Sequence, residues 1–245
     1  MGTRNLTCVM LNGEYRVAQY GQWDGYPSGQ GKIILEFLKR MDKEKFIENL
    51  KQSFFITTEE QKALWKEFGA DDSDMVTMEV SKKFNKVHPQ LSRDMGGAIL
   101  EFIQDATEPV QLADQIEFAT DGLFCEWAYV VDLDKNTLEV YSGFGQRKLP
   151  EGSRFGNDIG DNGYSAVGLV TTYSLDGLPS YDCFLADLEP SDEDETMSHD
   201  AIVAVIDEIR KSSHGDELIT DRICNYMEAN INEFIETYEM VDFTE

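Results

Sequence analysis

Two short apolar runs, residues 6–11 and 15–20, flank Asn12-Gly13, a strong two-residue turn signal, and predict a β-hairpin over residues 4–20. The period then turns helical. Ile34, Phe37, Leu38 and Met41 recur at i, i+3, i+4 and i+7, which predicts a helix over 32–41. A second helix is expected over 43–52, with Phe46, Ile47 and Leu50 facing inward. Thr58-Glu59-Glu60-Gln61 has the form of a capping box and predicts a third, burying Leu64, Trp65 and Phe68 and ending at Gly69. Asp74 is expected to cap a fourth helix carrying Val76, Val80, Phe84 and Val87, which His88-Pro89 breaks. Ser92 is expected to cap a fifth, with Met95, Ile99, Phe102 and Ile103 on one face and Gly96-Gly97 inside it, against a close backbone or helix neighbour.

From Gln115 onward the pattern is that of strands. Residues 116–119 read as a short strand or a helix end. Residues 123–132 and 137–142, rich in aromatic and β-branched residues, read as a second hairpin across Leu133-Asp134-Lys135-Asn136. Residues 143–165 read as a long loop, 167–174 as a strand and 182–188 as another. An acidic linker is expected at 189–198, then two helices over about 200–212 and 216–239.

One stretch fits neither pattern. Residues 19–32 hold four glycines, three glutamines, two tyrosines, a tryptophan and a proline. They predict a structured loop that feeds a helix start, where free N–H groups and the positive dipole end favour an anion. Trp23 and Tyr26 offer π-faces, Gln22 and Gln30 amides, and Asp24 a carboxylate, a set that suits a nucleotide-like ligand. Ser28 and Gly29 stand at the helix start, and Arg4 or Lys32 would offset charge. The structural alternative is a tightly turned loop whose aromatics plug the core. Neither the P-loop pattern nor the G-x-G-x-x-G fingerprint is satisfied.

Composition narrows the function classes. The 245 residues bury a sizeable core as one large domain or two small ones. The net charge of −26 disfavours nucleic-acid backbones and anionic membrane surfaces and permits a basic partner or mimicry of DNA. Cys8, Cys125, Cys183 and Cys224 are widely separated, as expected for reduced, buried thiols of a cytoplasmic protein. No apolar run reaches membrane-spanning length. His88, His199 and His214 lack ligand spacing, so no metal is expected, and no cofactor motif is present. Asp132-Leu133-Asp134-Lys135-Asn136 begins like a calcium loop but has Thr137 and Gly143 where that loop needs Gly and Glu, and so reads as a polar hairpin turn. Glu126, beside Trp127 in an apolar strand, is either a buried acid–base group or a residue of the solvated face.

Two resemblances bear on these expectations. The opening Met1-Gly2-Thr3-Arg4-Asn5-Leu6 with Gln22-Trp23-Asp24-Gly25-Tyr26-Pro27 and Gly29-Gln30-Gly31, and later Phe124-Cys125-Glu126-Trp127-Ala128-Tyr129, resembles a family of uncharacterised proteins of bacteria, their phages and fungi. The resemblance implies a small self-contained protein, of phage or mobile-element type, and transfers no catalytic residue. The order of hairpin, helices and strands is also that of the N-terminal-nucleophile hydrolases. The opening Met1-Gly2-Thr3, with Ala18 and Gly21-Gln22, looks like proteasome β-subunits, which would make Thr3 the nucleophile. That family's buried lysine has no counterpart, since the second strand carries only Arg16.

The expected fold is α+β: an antiparallel sheet built from both hairpins, packed against helices and hydrolase-like in order. The expected domains are a core over 1–188, the linker, and a C-terminal helical pair over 199–245. The expected function is non-catalytic binding of a small anionic ligand at Arg4, Gln22, Trp23, Asp24, Tyr26, Ser28, Gly29, Gln30 and Lys32, with Glu126 and Trp127 brought near. The alternatives are an acidic protein-interaction or DNA-mimic role and a hydrolase.

Overall fold

The computed structural model describes residues 2–71 and 76–189. The chain divides after Leu188, and the first unit, Met1–Leu188, holds the sheets and the helices that pack on them. The linker and helical pair expected beyond Glu189, and the expected cap Asp74, lie outside the described residues.

β1 (Asn5–Leu11) and β2 (Glu14–Gly21) form the predicted hairpin. Asn12 and Gly13 have φ of 57° and 77°, the left-handed pair that a two-residue turn of this twist requires. Both their N–H groups donate to the Asp134 carboxylate at 2.8 Å, so the tips of the two hairpins meet. A register shift after Val9 leaves Arg16 as the extra residue of β2. Its Nη2 donates to the carbonyls of Leu50 and Ser53 at the end of α2 (Lys43–Gln52).

The other elements are α1 (Lys32–Arg40), β3 (Phe54–Ile56), α3 (Thr58–Glu67), α4 (Met78–Val87), α5 (Ile99–Asp105), β4 (Gln111–Ala113), β5 (Trp127–Asp132), β6 (Thr137–Ser142), β7 (Gly168–Ser174) and α6 (Tyr181–Leu188). The main sheet runs β2-β1-β5-β6-β7, and β3 pairs with β4 in a second, small sheet. The class is α+β, and both hairpins share one sheet. The sheet is mixed rather than antiparallel, because β1 and β5 pair in parallel from Asn5↔Trp127 to Met10↔Asp132. β2 ends at Gly21, opposite Asn5 at the start of β1, and the helices between β2 and β5 carry the chain past β1 at that same end, so β5 sets out in the direction of β1.

Both faces of the sheet are covered over its central strands, while the edge strand β7 stays largely exposed. On one, Val9, Val17, Tyr129, Val131, Leu138 and Val140 pack on Ile34 and Phe37 of α1, Phe46 of α2, Ile103 of α5 and Phe184 of α6. On the other, Leu6, Cys8, Ala18, Ala128 and Val130 meet Ala119, Cys125, Phe155 and Val167. Burial on two sides explains the nearly unbroken apolar run of β5. Each large side chain that is fully buried contributes about 1.5–3 kcal/mol. A third cluster joins Phe84 and Leu91 to Trp65 and Phe68.

Several expected boundaries shift. The capping box is Thr57 with Glu60, one residue earlier than expected, and α3 half-buries its apolar residues instead of sealing them. Thr77 caps α4, where Val76 and Val87 are exposed. The fifth helix begins only at Ile99, because Gly96 adopts φ 47° and ends any helix that would start at Ser92. Residues 116–120 form a 3-10 turn, β5 begins at Trp127, and the segment expected as a strand over 182–188 is α6.

Candidate functional site

The loop after β2 is held by its own backbone. Asp24 takes φ 53°, and its carbonyl accepts from Gln30 N at 2.8 Å. The Tyr26 carbonyl accepts from Gly29 N at 3.0 Å and Gly31 N at 3.2 Å. Pro27–Gly31 therefore forms a wide π-type turn that runs straight into α1. This corrects one expectation. The amides of Gly29, Gln30 and Gly31 already have backbone acceptors, so the helix start presents no open nest there. Gln30 is also committed inward: it is buried, its Oε1 accepts from Gly97 N at 2.8 Å and its Nε2 donates to the Trp23 carbonyl.

The two aromatics stay outside the core. Trp23 is 45 % exposed and Tyr26 50 % exposed. Trp23 is nevertheless fixed: Nε1 donates to Asp94 Oδ1 at 2.9 Å, and its carbonyl also accepts from Asn5 Nδ2. A Cβ on Gly2 would stand 2.1 Å from the Trp23 ring, so the start of the chain lies directly against it. Thr3 is buried, and its carbonyl accepts from Gly25 N.

The expected residues separate into distinct groups. Ser28 and Lys32 lie towards α6, where Tyr181 Oη donates to the Ser28 carbonyl and Lys32 Nζ sits 4.6 Å from the Tyr181 ring centre. Arg4 and Glu126 meet at the start of β5: Arg4 N donates to Glu126 Oε1 at 3.2 Å, and the guanidinium lies 4.5 Å over the Phe124 ring. Trp127 is half-buried and packs against the core. Gln22 and Trp23 face residues 93–94, since Gln22 N donates to the Arg93 carbonyl.

That last contact leads to a region with no signal in the sequence. Tyr20 Oη donates to Gln22 Oε1 at 2.7 Å. Burial pushes the Tyr20 phenol up, against the opposing pull of the Arg4 and Arg93 charges. Among the described residues no carboxylate pairs with the guanidinium of Arg4 or Arg93. Gln115 runs along the edge of β2: its N donates to the Ala18 carbonyl and its Oε1 accepts from Tyr20 N. Beside it opens a recess of about 560 Å³ that reaches Arg93, Trp65 and one face of α4. Arg93 gives no local sequence signal, and Trp65 reads as core because its helical spacing is apolar. Only the tertiary meeting of residues 65, 93 and 115 creates the recess.

A second constellation is equally hidden from local pattern. Arg154 reaches into the sheet and donates from Nη2 to Asp132 Oδ2 and Glu139 Oε1, and from Nε to Glu139 Oε2, each at 2.7 Å. Tyr141 Oη donates to the same Glu139 oxygen at 2.5 Å. Burial raises both carboxyls, yet the Arg154 hydrogen bonds and charge prevail and hold them below their ordinary values. Through these bonds the cluster pins the long loop to β5 and β6.

Among the described residues no group of His, Cys, Asp and Glu is placed to hold a metal ion, and no helix is long and apolar enough to cross a membrane. Cys8 and Cys125 are buried free thiols pushed up by burial, whereas Cys183 is exposed, contrary to the expectation of burial. Comparison with protein-family models, curated proteins and solved structures finds no match.

Proposed function

We propose that the protein binds a small anionic, nucleotide-like ligand without transforming it, at the surface where the aromatic loop meets residues 93–94. The observation that carries this is that the guanidinium groups of Arg93, at the recess, and Arg4, over the Phe124 ring, both act on the Tyr20 phenol and both lack a carboxylate partner among the described residues of a chain with 47 acidic and 21 basic residues. A guanidinium without such a partner is a fork for phosphate or carboxylate. The half-exposed Trp23, fixed through Asp94, adds a preset apolar face beside the anion that needs no ordering on binding. The anion is then held by guanidinium groups in place of the helix start. Gln22, already turned towards Tyr20, frames the site. A binder of this kind suits sequestration of a signalling nucleotide.

A thermal-shift panel of nucleotides and cyclic nucleotides on the full chain tests this. A ligand at a hundred times its Kd stabilises by about 2.7 kcal/mol. Because charge-assisted hydrogen bonds are worth about 1.5–3 kcal/mol each, Arg93→Ala or Arg4→Ala weakens binding roughly tenfold or more. If no nucleotide moves the midpoint at millimolar concentration, the binding function is wrong.

A further inference from the structure

Resting on the ligand binding just proposed, we infer that the recess beside β2 seats the uncharged heterocyclic ring of a nucleoside phosphate whose phosphate lies at Arg93. Its lining is unusual for this chain. Among the described residues that border it there is one cation, Arg93, and no carboxylate, although nearly a fifth of the chain is acidic. The remaining polar groups are neutral. Ser81 and Asn85 stand four residues apart on α4 and so share a face. Gln115 uses Oε1 on Tyr20 N and keeps its Nε2 hydrogens for another acceptor.

Neutral amides and hydroxyls read the edge of a neutral ring, because together they supply both donors and acceptors. A charged ring would demand a carboxylate, and the described residues of the wall supply none. The apolar surfaces are also of the right kind. Trp65 is stacked on Phe84 with ring centres 3.6 Å apart, which fixes it as a rigid wall. Met78, 74 % exposed at the first turn of α4, is an adaptable thioether at the mouth. The volume, about 560 Å³, lies within the range of small-molecule sites and exceeds what a bare phosphate needs. A smaller recess shares Asn85 and carries Asp94, the residue that fixes Trp23, so the ring seat and the aromatic loop are neighbours.

Isothermal titration of the full chain with AMP, ribose 5-phosphate and inorganic phosphate tests the assignment. AMP is expected to bind at least tenfold tighter than ribose 5-phosphate. Ser81→Phe, which fills the recess from a half-buried helix position, is expected to erase that margin and leave ribose 5-phosphate binding unchanged. Asn85→Ala, a milder change that keeps the helix, is expected to reduce the margin about threefold. Equal binding of AMP and ribose 5-phosphate overturns the ring seat and leaves the anion site standing. An AMP margin that survives both substitutions also overturns it. Absence of binding by all three probes overturns the ring seat and the proposed function together.

Discussion

Arg154 shows what one buried charge does when every partner is present. Its side chain is 13 % exposed and faces Asp132 and Glu139, exposed by 3 % and 8 %. Removing one member of such a group leaves uncompensated buried charge, which costs about 3–5 kcal/mol. Arg154→Met is therefore expected to lower the stability of the protein by about 3 kcal/mol at pH 7, read from the urea midpoint. The pH dependence follows with a definite sign. Both carboxyls titrate lower in the folded chain than in the unfolded one, so their contribution is complete above the ordinary carboxylate range. As pH falls below about 4 the unfolded chain takes up protons first, and the contribution is lost through the folded values. The urea midpoint should fall steeply between about pH 5 and 3. In Arg154→Met that drop should flatten, because carboxyls buried without the guanidinium titrate high. An unchanged acid profile in the variant would show that the clasp does not set it.

At the scale of elements, the contact between Gln30 and the Gly96-Gly97 pair decides how the loop and α5 fit. Gly97 N donates to Gln30 Oε1, a Cβ on Gly97 would meet Ile34 Cγ1 at 2.7 Å, and one on Gly96 would meet Gln30 Oε1 at 2.5 Å. Gly96 also sits at φ 47°. Gly97→Ala forces overpacking and Gly96→Ala adds backbone strain, so each is expected to lose about 1–3 kcal/mol by chemical denaturation. Gln30→Ala, which strands a buried N–H, is expected to lose a similar amount, about 1–3 kcal/mol. Loss of less than about half a kilocalorie in all three would mean the loop is not fastened here. The same contact marks the limit of local pattern. The hairpins and α1 and α2 are legible because their turn residues and apolar period lie within a few positions of each other. Gly96-Gly97 reads correctly as facing a close neighbour, but Gln30, 67 residues away, reads as a ligand group. The three-residue strands β3 and β4 carry too little alternation to register, and β1 with β5 gives no local sign of parallel pairing. Residues 182–188 are ambiguous because a short apolar run suits strand and helix alike. The deciding signal is Ser180, whose Oγ accepts from Cys183 N and starts α6.

At the scale of the whole molecule, charge governs. Residues 189–245 hold 17 acidic and 3 basic residues, so more than half of the net −26 comes from less than a quarter of the chain. Self-repulsion of this size opposes the compact state and is screened by salt over a Debye length of about 10 Å at 0.1 M. Exposed pairs such as Arg40–Glu101 and Lys45–Asp105 are weakened by the same screening but contribute little. The Arg154 cluster is shielded from it by burial. The balance predicts that the melting midpoint of the full chain rises between about 10 and 300 mM NaCl, by roughly 2–4 °C for each kcal/mol of repulsion relieved. Ligand binding at Arg4 and Arg93 should respond in the opposite sense, since screening weakens attraction between guanidinium and phosphate. The same titration, run with and without AMP, therefore separates two effects. The apo midpoint should climb while the AMP-induced increment shrinks. A midpoint that falls with salt would place the dominant electrostatics in favourable surface pairs, and the acidic balance would then be locally compensated.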